Sequence, residues 1–167
     1  MYKETKPLEQ RLNEGFAAYA QQASWKDLSF EIHKEMRFDD VLQDKMLMIH
    51  FIRMGIPYAL FDLVKAYAPF TENDWAEFLE LSTKSLQRYK LEVGFHFKPA
   101  HSEKILEIAE VTKVGLDVLG TMDALKQWLS TPCYALSAMK PAELLKDSYG
   151  KNLVIDELIR MDHGIFV

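Results

Sequence analysis

Between Thr71 and Lys90 the sequence TENDWAEFLELSTKSLQRYK contains two helix starts in close succession. Thr71 and Ser82 each carry a hydroxyl that can accept from a free backbone N–H in a first helical turn. Asp74, Trp75 and Phe78 carry the pattern of the first helix, and Leu79 and Leu81 bracket Glu80 at its end. The second helix is expected over Thr83 to Lys90, with Leu86 pointing inward. Two short helices joined by a tight turn are a helix-turn-helix candidate, and no other segment restricts the fold as much.

The flanking sequence keeps helical spacing. Asp44 to Met54 reads as a helix, and GIPYALFDLVKAYAPF restarts one in which Leu60, Val64 and Tyr67 share a face beside Phe61. Ser102 is expected to cap a long helix built on Ile105, Ile108, Ala109, Thr112 and Leu116. Shorter helices follow over Asp123 to Leu129 and Ala142 to Leu145, then a last one over Asn152 to Met161 before Gly164. No run alternates long enough to demand a sheet, so the fold class is all-α. The expected organisation is an N-terminal arm over 1–45, a helix-turn-helix domain over 46–120 and a small helical domain over 121–167. In the arm, Phe16, Tyr19 and Ala20 form one apolar stripe and Trp25, Leu28 and Ile32 another.

Composition narrows the function classes. The 167 residues are 49% hydrophobic, enough for a core, and carry a net charge of −5, so any nucleic-acid face must be local. The single cysteine, Cys133, allows no internal disulfide and fits a reducing compartment. The window Met46 to Phe61 contains His50 and Arg53 and is too short to span a bilayer, so no membrane association and a cytoplasmic location are expected. His96 and His101 are not at helical ligand spacing, and no glycine-rich phosphate loop occurs. Neither a metal, a cofactor nor a catalytic set is expected.

The second helix of the pair offers Ser82, Thr83, Lys84, Ser85, Gln87 and Arg88, the hydroxyl, amide and cationic groups that reach phosphates and base edges. Read from residues alone, this is either a DNA-reading helix or a solvated helix of an ordinary bundle. Glu72, Asp74, Glu77 and Glu80 argue against DNA, since they make the preceding helix acidic. The apolar end Ile165-Phe166-Val167 must likewise be buried in its own core or in a partner.

LELSTKSLQRYK resembles the helix-turn-helix of Xre-type antitoxins from RES–Xre toxin–antitoxin systems. WLSTPCYALSAMKPAELLKDSYGKNLVIDELIRMDHGIFV resembles that family's toxin-binding domain. Trp128, Leu129, Pro132, Ala135, Leu136, Pro141, Leu144, Leu145, Gly150, Val154, Leu158, Arg160, Gly164 and Phe166 follow its pattern in order. The chain departs from it in one loop, where Cys133-Tyr134 stands for an Asn-Pro and Ser137-Ala138 for a Gly-Gly-like pair. The resemblance spans roughly 55–167 and implies an antitoxin with two binding functions. One part represses its own operon by binding operator DNA, expected as a homodimer. The other holds an NAD-consuming RES-domain toxin, with the chain end at the entrance to the toxin's active site. Arg160, Asp162, Gly164, Ile165, Phe166 and Val167 are then the expected toxin contacts. The alternative is a stand-alone helix-turn-helix regulator whose C-terminal domain serves dimerisation.

Overall fold

A computed structural model describes residues 2–22 and 36–164. It contains α1 (Tyr2–Gln22), α2 (Phe38–Gln43), α3 (Lys45–Met54), α4 (Tyr58–Tyr67), α5 (Glu72–Phe78) and α6 (Thr83–Leu91). These are followed by α7 (Pro99–Leu119), α8 (Met122–Ser130), a 3-10 turn (Tyr134–Leu136), α9 (Pro141–Leu144) and α10 (Ser148–Asp162). The fold is all-α, and the only β pairing among the described residues is two isolated bridges, Pro57 with His96 and Cys133 with Met139.

The first helix is not an arm. Leu12, Phe16 and Ala20 of α1 are fully buried, and α1 packs along α4. Phe16 lies 5.0 Å from Phe38 and 5.5 Å from Phe51, ring centre to ring centre. Full burial of one such ring stabilises the fold by roughly 1.5–3 kcal/mol. The polar residues between the apolar positions of α1 face water, which gives this segment its charged look in the sequence. The stripe of Trp25, Leu28 and Ile32 lies outside the described residues.

The long helix α7 also starts earlier than its serine suggests. Lys98 is the cap position and Pro99 takes the first turn, where a missing N–H costs nothing. Ser102 lies inside the helix, fully buried. Its hydroxyl accepts from the Ile56 N–H at 2.9 Å and donates to the Phe97 carbonyl at 3.2 Å. The serine therefore clamps the α3–α4 connection onto the start of α7. Beside it, the Phe97 N–H donates to the Ile56 carbonyl at 2.9 Å.

Helix α7 is buried on most of its circumference, from Ile105 through Ala109 and on to Val111 and Thr112. It touches α3, α4, α8 and α10. Two ion pairs mark its contact with the C-terminal helices. Lys104 pairs with Glu107 at 2.6 Å and donates to the Leu145 carbonyl at 3.0 Å, and Lys151 of α10 pairs with Glu110 at 2.7 Å. The buried residues from Leu12 to Leu158 form one continuous cluster, so the segments on either side of Gly120 share a core. No helix among the described residues is long and apolar enough to cross a membrane.

Candidate functional site

Helices α5 and α6 form as their caps require. The Thr71 and Asp74 side chains and backbone N–H groups satisfy each other in a capping box, with Thr71 N–H to Asp74 Oδ2 at 2.7 Å. Ser82 Oγ accepts from the Ser85 N–H at 3.0 Å. Trp75 and Leu86 are fully buried, and Trp75 meets Phe61 edge-on with ring centres 5.2 Å apart. Between the helices Glu80 takes a left-handed backbone, with φ of 52°. That conformation suits glycine and costs a residue with a side chain on the order of 1 kcal/mol.

The six residues read as a DNA face all lie in the first turns of α6 or at its cap, but they are not equally free. Ser82 and Ser85 are engaged in the cap, their hydroxyls 2.9 Å apart. Gln87 donates to the Glu72 carboxylate of α5. Thr83, Lys84 and Arg88 are open to water. Lys84 and Arg88 are one helical turn apart, on the side opposite buried Leu86. The Arg88 guanidinium carbon lies 5.3 Å from the centre of the Tyr89 ring, and Leu91, on the same side one turn further on, is 84% exposed.

Three of the four acids that argue against DNA have partners within the fold. Asp74 serves the capping box, Glu72 accepts from Gln87, and Glu77 pairs with Lys146 at 2.9 Å. That hydrogen bond raises the Lys146 pKa and keeps the ammonium charged. Glu80 acts at longer range on His101, whose pKa is lowered by burial first and by Lys98 second, with Glu80 opposing both. The engagements of Glu72 and Glu77 were not visible in the order of residues, because each partner comes from a distant segment.

Helix α10 presents Val154 and Leu158 to the core and Tyr149, Leu153 and Asp156 to water, with half-buried Arg160 on the same side. Arg160 Nη2 pairs with Glu157 Oε2 of the same helix at 2.8 Å. Asp162 is exposed, and Gly164 takes a left-handed conformation, φ 70°, with its N–H donating to the Met161 carbonyl at 3.0 Å. This is the sharp exit that the glycine implies. Ile165, Phe166 and Val167 lie outside the described residues. In the departing loop, Ser137 and Ala138 hold φ of 57° and 59°. The backbone thus takes here, with two substituted residues, a conformation suited to a glycine pair. Among the described residues no cluster of His, Cys, Asp and Glu could hold a metal ion.

Residues 115–164 match the family model of the antitoxin Xre/MbcA/ParS C-terminal toxin-binding domain. The C-terminal part of the chain is thus similar to the toxin-binding domain of Xre-type antitoxins. The chain is also 26% identical over 121 residues to Antitoxin Xre of Yersinia enterocolitica, an alignment covering 72% of this chain and 81% of the relative. A chain in the crystal structure of the M. tuberculosis MbcT–MbcA toxin–antitoxin complex superposes with a TM-score of 0.53 at 21% identity. That match covers 66% of this chain and 96% of the other, and it supports the fold. The likeness is to non-catalytic regulators.

Proposed function

We propose that this antitoxin neutralises an NAD-consuming RES-domain toxin and represses its own operon by binding operator DNA as a homodimer. The observation that carries the reading is one body with two exposed faces of opposite chemistry. Lys84 and Arg88 stand outward on α6, and the toxin-binding domain ends in the left-handed exit at Gly164. Thr83, Lys84 and Arg88 contact DNA, while Ser82, Ser85 and Gln87 hold the reading helix in place. One helix reads too few bases, so two copies place their α6 helices about 34 Å apart on successive turns of the major groove. Met46, 52% exposed, and Ile49 on α3 supply apolar surface for that pairing.

Ile165, Phe166 and Val167 contact the toxin, with Arg160, Asp162 and Gly164 at the rim. The test is co-expression with a RES-domain toxin. The full chain preserves cellular NAD and retards its own upstream DNA. A chain lacking Ile165 to Val167 melts at the same temperature and still retards DNA, but no longer protects NAD. If the shortened chain protects fully, the chain end is not the plug. If the full chain gives no protection, the RES-domain partner is wrong.

A further inference from the structure

Tyr134 and Tyr149 are 87% and 88% exposed, and Leu153 is 53% exposed. Such side chains lose hydration free energy by standing in water, and scattered singly they mean little. These are not scattered. Tyr149 and Leu153 are adjacent along one row of α10, which continues through Asp156 to Arg160. The 3-10 turn that carries Tyr134 packs alongside α10.

That turn is also held in shape. The Cys133 N–H donates to the Met139 carbonyl at 3.0 Å, and the Ala138 N–H donates to the Cys133 carbonyl at 2.9 Å. Between them sit the two left-handed residues, Ser137 and Ala138. A loop locked this way presents its tyrosine with little ordering left to lose on binding.

We propose that the outer row of α10, from Tyr149 to Arg160 and extended by Tyr134, is the main docking surface for the toxin. The inference rests on the antitoxin reading. Three observations favour a toxin over a second copy of this chain. The row lies within 115–164, the segment matching a toxin-binding domain. It runs directly into the exit at Gly164, so a protein seated on it also meets the chain end. It is mixed in character, with aromatic and aliphatic anchors at one end and an acid and a base at the other, which fixes the register of an asymmetric partner. A tyrosine buries about 150–250 Å². Two of them with Leu153 supply a large part of the about 800 Å² that each partner contributes to a stable interface. The toxin's complementary surface is then a groove that is apolar at one end and polar at the other.

The experiment uses the full chain and a RES-domain toxin. Dissociation constants are measured for wild type, for Tyr149→Ala with Leu153→Ser, for Tyr134→Ala, and for Leu91→Ser as an exposed apolar control on α6. The double variant is expected to bind about 30-fold more weakly or worse, as loss of interface anchors implies. Tyr134→Ala weakens binding less, and Leu91→Ser leaves it unchanged. Melting temperature and the mass in solution stay at wild-type values throughout. Toxin affinity of the double variant within threefold of wild type overturns the proposal. Loss of dimer mass with full toxin affinity also overturns it and assigns the row to a second copy. If wild type itself fails to bind the toxin, the antitoxin reading falls and this proposal falls with it.

Discussion

The outward side of α6 carries Lys84 and Arg88, whereas that of α10 carries Tyr149 and Leu153. The two helices are built alike, each with one buried side and one open side. They differ in what was left in water. On α6 three of the four neighbouring acids are occupied within the fold, and this keeps the cations available. On α10 the ion pairs Lys151–Glu110 and Arg160–Glu157 hold the flanks, while the N-terminal half of the open side carries Tyr149 and Leu153. In the proposed reading, recognition through the first is electrostatic and weakens with salt. Recognition through the second relies on apolar burial, which salt hardly changes. The two proposed partners would then be held by different forces, and a change at one face need not disturb the other.

The largest expected effect removes the second face altogether. A Cβ on Gly150 would lie 2.0 Å from the Leu144 carbonyl oxygen. Gly150→Ala therefore forces α10 away from α9, at a cost of about 3 kcal/mol. For a chain of this size the melting temperature falls by roughly 6–12 °C in calorimetry. Toxin affinity drops, and DNA retardation well below the melting point persists. Equal loss of both activities at low temperature would mean that the faces are not independent.

Next in size is Arg88→Ala, which weakens binding to the upstream DNA by about 1–3 kcal/mol if the guanidinium reads a base edge. A salt titration of wild type beside the variant checks this, with the toxin complex as the salt-insensitive reference. Retardation equal to wild type would remove Arg88 from the reading face. Smaller still is Glu80→Gly. It relieves the left-handed strain and removes a negative charge from the turn, so urea unfolding should show a gain of roughly 0.5–1 kcal/mol, with tighter DNA binding. A destabilised variant would show that the Glu80 side chain contributes more than its backbone costs. The smallest effect is Ser137→Gly, a gain of about 0.5 kcal/mol or less with toxin affinity unchanged. If that affinity falls instead, the serine itself touches the toxin.

Much of this was legible where chemistry is local. Thr71 and Ser82 mark helix starts because a cap needs only its own next few residues, and both caps form. Gly164 marks an exit for the same reason. What was not legible depends on a distant partner. Helix α1 spaces Leu12, Phe16 and Ala20 between charged residues, and only the facing surface of α4 shows that they belong to the core. Ser102 precedes an apolar run as a cap would, but Pro99 already supplies the first turn, and the serine hydroxyl is needed by Ile56 and Phe97. The exposed tyrosines escaped notice because, in sequence, an aromatic at helical spacing looks the same whether it faces the core or water.

The shared core around α7 also governs how this protein can be destroyed. Ile105, Ile108 and Val111 are covered from both sides, by helices that precede α7 and by helices that follow it. A protease that cut after Gly120 and carried off α8 to α10 would leave that side of α7 bare to water. The remaining piece would keep every residue of the DNA-reading pair but lose part of the packing that holds the pair in shape. The proposed repression and the proposed neutralisation therefore share one lifetime: neither would survive as a stable fragment of the other.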